Sequence, residues 1–326
     1  MPRTPPRAAL AAVVALACLL LVVGCGGSSH SSKPASTAAS NAGPPFPVAA
    51  GRSLNQVLAG IRQGPMMAPA VGVLEPGSNR FAFILFDASR KQLVPPDVAV
   101  YVTDADGRSM RGPFPVRNES LAVAPQYQSR TVQADANAGK QVYVTNIPLT
   151  KAKRQGIVVI ARMNGQLVAA NPTLVDVGGP QPPAAGQPAI RVHTPTSPPQ
   201  PIASIDTRIP HDPQLHAVDL ANVLGRKPVL LVFATPQLCQ SRTCGPVVDQ
   251  AAQLQATYGS RMAFIHMEVY ANNDPTKGYR PQLRAWRLVS EPWVFAIDRH
   301  GRVVERLEGA TSVDEMRQAI EKALKS

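Results

Sequence analysis

The sequence predicts a multidomain chain, an N-terminal all-β sandwich followed by a C-terminal α/β domain, and three observations predict it. From about residue 70 to 178, short segments rich in Val, Ile, Phe and Tyr are broken by turn signals and show no helical period. From about 202 to 326, apolar strand-like runs alternate with helical ones. Between the two lies "GPQPPAAGQPAIRVHTPTSPPQP", residues 179 to 201, proline-dense and without hydrophobic period. That composition reads as a semi-rigid linker between two independent folding units.

The chain opens with Arg3 and Arg7 and an apolar run from Ala8 to Val23. This is short for a spanning helix, which needs about 20 apolar residues. It ends in Val22-Val23-Gly24-Cys25, which resembles the lipobox of bacterial lipoproteins. The resemblance implies cleavage before Cys25 and lipid on its thiol, so that membrane lipid is a partner and the extracytoplasmic membrane face the location. An ordinary secretory signal or an uncleaved anchor is the alternative. The expected organisation is 1–25 signal, 26–50 flexible tether, 51–178 sandwich, 179–201 linker and 202–326 α/β domain.

Of Cys18, Cys25, Cys239 and Cys244, the first leaves with the signal and the second is taken by lipid. Cys239 and Cys244 then remain as a pair in a compartment where disulfides persist. The net charge is +12, with 16 basic and 8 acidic side chains in 26–200. That basic half lies nearest the anchor, where anionic headgroups attract a nearby Lys or Arg by about 1 kcal/mol each. A generic basic surface explains the same excess. Nucleic acid is not an expected partner of an exported lipoprotein.

In the first half the expected strands are "RFAFILFDA" (80–88), "DVAVYVTDADG" (97–107), "QVYVTNI" (141–147), "GIVVIARMNGQLVAA" (156–170) and "PTLVDV" (172–177). Asn164-Gly165 closes a hairpin, and "SLNQVLAGIRQ" (53–63) fits a short amphipathic helix. The pattern is similar to the immunoglobulin-like modules of extracytoplasmic bacterial proteins. No chemistry-bearing cluster is visible here.

The second half reads β-α-β-α-β-β-α after a first helix. "HAVDLANVL" (216–224) is helical, and "KPVLLVFAT" (227–235) is a strand buried on both faces. The helix "PVVDQAAQLQATYG" (246–259) opens on Pro and closes on Gly. Strand "MAFIHMEVY" (262–270), helix "RPQLRAWRL" (280–288) and the hairpin "PWVFAID" (292–298) with "RVVERLEG" (302–309) follow. The last helix, "SVDEMRQAIEKALKS" (312–326), has Ser312 as N-cap and Glu315 to complete a capping box.

With two cysteines at the first strand-to-helix junction, this order resembles the thioredoxin fold. "PVLLVFATPQLC", "PVVDQAA" and "SEPWVFAIDRHGRVVERLEG" carry the resemblance. It implies Cys239 as nucleophile, Pro246 near the helix-kinking proline, and Pro292 as the cis-proline beside the cysteines. It implies protein thiols or disulfides as partners and no cofactor. The family's Cys-x-x-Cys is replaced by Cys-x4-Cys.

In one continuous α-helix, residues five apart are about 7.5 Å apart along the axis and turned by about 140°. A disulfide needs Cα atoms within roughly 4.4–6.8 Å. Either "CQSRT" is non-helical with the bond formed, or a helical dithiol form unwinds on oxidation. Thiol–disulfide exchange, with Arg242 as a cation near Cys239, competes with a structural disulfide in a redox-inactive scaffold or binding protein. Cys-x4-Cys also resembles a peroxiredoxin subgroup, although Thr235 stands four rather than three residues before Cys239. Copper held by Cys239, Cys244 and His266 is a third class, against the family's spacing; His211, His216 and His300 have no ligand spacing, so no metal site is expected.

Overall fold

The computed structural model describes residues 44–326 except Asn137, Pro180 and Gln240. Cys25, the lipobox and the tether as far as residue 43 lie outside the described residues. Among the described residues no helix is long and apolar enough to cross a membrane.

Two sheets build the first half. One orders Arg62–Gln63, Gln166–Ala169, Arg154–Met163, Val98–Asp104 and Met110–Pro115, with Thr173–Asp176 also paired to Arg154–Met163. The other orders Met66–Pro69, Gly77–Phe86, Gln141–Leu149 and Arg117–Ser120, with Gln92–Leu93 added to Gly77–Phe86. Alternation explains the core between them. Phe81, Phe83 and Leu85 cluster with Tyr143, Ile147, Val100, Val102, Ile157 and Val159. The Asn164-Gly165 turn joins its two strands as expected, both residues at positive φ.

The opposite face of Gly77–Phe86 is not solvated. Ala82 and Ile84 cluster with Leu121, Val142, Val144 and Ala310, the last from the C-terminal half. That is why "FAFILF" is continuously apolar rather than alternating.

The C-terminal domain is built on β1 (Val229–Phe233), β2 (Ala263–Met267), β3 (Trp293–Ile297) and β4 (Val303–Glu308), in the order β2-β1-β3-β4. β1 and β2 are parallel; β1–β3 and β3–β4 are antiparallel. Its helices are α1 (Leu220–Val223), α2 (Cys244–Tyr258), α3 (Pro281–Ala285) and α4 (Val313–Lys325). One sheet face packs Leu230, Val232 and Phe264 against Val247, Val248, Met316 and Ile320. The other packs Leu231, Phe233 and Phe295 against Leu220, Leu283 and Trp286. Both faces are covered, as the apolar runs require. The capping box of α4 forms: Ser312 Oγ accepts from Glu315 N–H at 3.1 Å and Glu315 accepts from Ser312 N–H at 3.4 Å.

Ala42–Ser326 is one compact unit, so the halves are joined by more than the proline-rich segment. Arg80 spans the interface, donating to both Glu315 oxygens at 2.8 and 2.7 Å and to the carbonyls of Glu308 and Ala310. Glu308 accepts from the N–H groups of Gly72 and Val73 at 2.7 and 2.9 Å. Gly309, the closing glycine, has φ +75°, and a Cβ there would lie 1.6 Å from the Ala70 carbonyl oxygen. Only glycine permits that approach. Residues 181–201 are irregular but held: Gly186 N–H and Ala189 N–H donate to Val303 and Gly301 carbonyls at 2.8 Å each, and Ser197 N–H donates to the His216 carbonyl. The linker therefore packs along the C-terminal domain rather than spanning a gap.

Candidate functional site

β1 runs into Ala234 and Thr235, after which the chain turns through Pro236–Leu238 to Cys239. Arg242 adopts φ 57°, a left-handed conformation that stops helical continuation upstream, and α2 begins at Cys244. The helix thus starts two residues before the expected Pro246. Both thiols are free, and Cys239, Ser241, Arg242 and Thr243 are nevertheless non-helical. Of the two geometries the spacing allowed, a helical dithiol form is not the one adopted. Oxidation needs no helix to unwind.

Cys239 is partly exposed and Cys244 is buried. The Cys244 backbone N–H donates to Cys239 Sγ at 3.4 Å, and Ser241 Oγ lies 3.2 Å from that sulfur. A hydrogen bond from the Cys244 thiol is the largest influence on Cys239. Together with the Ser241 hydroxyl and the N–H groups of Cys244 and Thr243 it outweighs burial and lowers the Cys239 pKa to about 6. Burial, then the Cys239 partner, pushes the Cys244 thiol well up. The pair is polarised into a ready thiolate and a protonated reserve. Arg242 is not the cation expected beside Cys239: its guanidinium pairs with Asp135, and hydrogen bonds stabilise the thiolate instead.

Pro292 is buried and the Glu291–Pro292 peptide is cis; its carbonyl accepts from Gly309 N–H at 2.8 Å. Glu291 accepts from the hydroxyls of Tyr270 and Tyr279 at 3.3 and 3.4 Å, and burial raises its pKa. Its charge adds a little to the burial that raises Cys244, and Tyr270 is raised by burial first, then by Glu291, with the Cys239 charge adding last. Glu291, Tyr270 and Tyr279 are therefore within electrostatic reach of the cysteine pair, a grouping outside the residues that the sequence motifs single out. The available signal was an acidic residue directly before the loop proline.

The first half, expected to carry no chemistry, supplies a wall. Thr131, Val132 and Ala138 face Pro236, Cys239 and Pro246 across a cleft of about 260 Å³. Val132, Ala138 and Pro246 also line an adjoining groove of about 980 Å³. Ser129 N–H and Oγ donate to Asp249 of α2 at 2.8 and 3.0 Å, and Arg208 Nε donates to its other oxygen at 2.8 Å, which fixes this wall to the helix.

His266 does not join the cysteines. Its Nδ1 lies 3.2 Å from His216 Nε2 and its Nε2 donates to the Ala234 carbonyl at 3.0 Å. Among the described residues, Asp206, His216 and His266 are the one group of three potential metal ligands. Copper coordination by Cys239, Cys244 and His266 is therefore not assembled here. Thr235 Oγ1 is buried without a hydrogen-bond partner among the described residues. Trp286 and Trp293 are core residues.

Residues 216–324 match the family model described as a thioredoxin-like domain. The C-terminal domain is thioredoxin-like. Among solved structures, a candidate thiol:disulfide interchange protein DsbE from Chlorobium tepidum is similar at 21% identity, over 44% of this chain and 99% of that one, with a TM-score of 0.33. A thiol:disulfide interchange protein of the thioredoxin family from Chlorobium tepidum TLS has 18% identity over 45% of this chain and 98% of its own, with a TM-score of 0.28. The Lin-41 filamin domain has 16% identity over 36% of this chain and 98% of its own, with a TM-score of 0.20. No curated protein matches the chain. In the thioredoxin-like domain, the cysteine loop follows β1 and Pro292 immediately precedes β3.

Proposed function

We propose that the chain is a membrane-anchored extracytoplasmic thiol–disulfide exchange protein, with Cys239 as attacking and Cys244 as resolving thiol. The observation that carries this reading is the division of the pair: a partly exposed sulfur held as thiolate at the start of α2, beside a buried thiol held protonated. A purely structural pair has no use for that asymmetry.

In the reducing direction, Cys239 Sγ⁻ attacks one sulfur of a substrate disulfide. A mixed disulfide forms and the other substrate sulfur leaves as thiolate. Cys244 then gives up its proton and attacks Cys239 Sγ. The Cys239–Cys244 disulfide forms, the second substrate thiolate leaves, and the substrate has gained the two electrons that the pair has lost. Glu291, raised by burial and coupled to Cys244 through its charge, is our candidate acceptor for the Cys244 proton. The reverse sequence oxidises a dithiol.

The cleft at Cys239 and its adjoining groove favour a polypeptide substrate lying between the two halves. The first half, which we read as an immunoglobulin-like module, then serves as substrate wall as well as spacer from the membrane. Lipid at Cys25 is supported by the lipobox-like Val22-Val23-Gly24-Cys25.

The reduction potential of the Cys239–Cys244 couple tests the exchange reading. An exchange protein lies between about −270 and −120 mV, whereas a structural pair lies below about −300 mV.

A further inference from the structure

Behind the cysteine loop, Asp206, His216 and His266 converge, each with 1% exposure. Their facing atoms are 3.2 Å apart for His266 Nδ1 and His216 Nε2, 3.6 Å for His216 Nε2 and Asp206 Oδ2, and 3.7 Å for His266 Nδ1 and Asp206 Oδ1. Ligand atoms about 2.0–2.2 Å from a tetrahedral zinc ion are about 3.4 Å apart. The histidine–histidine separation and the two histidine–carboxylate separations, which run to different Asp206 oxygens, bracket that edge.

The hydrogen bookkeeping leads to the same place. A carbonyl only accepts, so His266 Nε2 carries the hydrogen donated to Ala234, and Nδ1 faces the cluster as a lone pair. The same bond fixes tautomer and ring orientation, as a second-shell partner does for a ligating histidine. His216 Nε2 then has one hydrogen for two acceptors, His266 Nδ1 and the Asp206 carboxylate. His216 Nδ1 has no partner among the described residues, so the hydrogen can move there without leaving the ring.

Charge adds a third argument. Glu268, also 1% exposed, is tied through Oε1 to Thr207, the neighbour of Asp206, while its Oε2 has no partner among the described residues. No Lys or Arg forms an ion pair with Asp206 or Glu268 among the described residues. Asp206 is held by the N–H groups of Arg208 and Asp212 at 2.8 and 2.9 Å, and Arg280 acts on Glu268 through its charge without an ion pair. Neither buried carboxylate therefore has a Lys or Arg in contact among the described residues, which is costly. A divalent ion offsets both.

We propose that Asp206, His216 and His266 form a buried site for a first-row divalent cation, zinc by its two-nitrogen, one-oxygen donor set, which clamps the segment before α1 onto the ends of β1 and β2. The fourth position falls to water. The irregular segment between Asp206 and His216 carries two of the ligands, and its local opening is the entry path.

The test uses the Cys239→Ser/Cys244→Ser double variant of the whole mature chain, so that thiols cannot hold the metal. After chelator treatment it should take up one equivalent of zinc in equilibrium dialysis and melt at a higher temperature with zinc. Cobalt(II) should give a tetrahedral visible spectrum without a thiolate charge-transfer band. His266→Gln and Asp206→Asn, added to the double variant, should lose the equivalent. If either fails to fold by circular dichroism, the stoichiometry and cobalt spectrum of the double variant decide. Absence of uptake in the double variant, or uptake that persists in both folded ligand variants, overturns the proposal.

Discussion

The backbone N–H of Cys244 points at the sulfur of Cys239, 3.4 Å away. One residue thereby supplies the first turn of α2, a hydrogen bond to the attacking sulfur, and the resolving thiol. A five-residue spacing that no continuous helix could bridge is accommodated by starting the helix at the second cysteine.

The pH dependence of alkylation follows. Cys239 should react with iodoacetamide half-maximally near pH 6, its rate falling about tenfold per pH unit below that, as the thiolate fraction does. Cys244 should stay unreactive through pH 9. Stability follows the same titration. Because the folded pKa of about 6 lies below the usual 9.0, Cys239 stabilises the dithiol form fully above about pH 9, and that contribution is lost as pH falls through 6. Urea midpoints of the reduced wild type, which keeps the Cys244 hydrogen bond to Cys239, check the sign between pH 5 and 9.

Glu291→Gln separates two roles of one carboxylate. As proton acceptor for Cys244, its loss should slow resolution about tenfold or more and let mixed disulfide accumulate. If Glu291 only repels the Cys244 thiolate, the same variant should resolve faster. Stopped-flow release of the substrate's second thiol distinguishes them.

Arg80→Ala should cost about 2 kcal/mol, since it leaves the largely buried Glu315 with only the more distant Arg117 and the Ser312 N–H, and two carbonyls of the C-terminal half without their donor. Both tryptophans lie in that half, at 286 and 293. The fluorescence-detected midpoint should therefore fall although the substitution is in the other half. An unchanged midpoint would mean that the halves unfold independently.

Cys25→Ala should leave an unprocessed precursor or release the protein from the membrane fraction. Correct processing with retained membrane binding would rule out lipid at Cys25.

The strands of the C-terminal domain were legible because burial on both faces leaves uninterrupted apolar runs, as in Val229–Phe233, and the α4 start because Ser312 and Glu315 cap it locally. Cys239 and Cys244 were legible through their spacing and their position at a strand-to-helix junction. What escaped depends on contacts distant in sequence. His216 and His266 are 50 residues apart with no shared motif. Arg242 reads as a cation beside Cys239 until Asp135, 107 residues earlier, turns it away. The segment Ser129–Asp135 carries no signal in sequence because the side chains of Ser129 and Asp135 pair with Asp249 of α2 and Arg242 of the cysteine loop, in the other half. The proline-rich run from 179 to 201 reads as a linker because its hydrogen bonds go from backbone to another element, a pairing that composition does not encode.

Trapping a substrate on single-cysteine variants tests the central claim most directly. With a thiol-reactive or disulfide-bonded polypeptide, Cys244→Ser should accumulate a mixed disulfide through Cys239, and Cys239→Ser should accumulate almost none. Equal and negligible trapping in both, together with unfolding of the wild type on reduction, would contradict exchange through Cys239 and leave the pair as a structural staple.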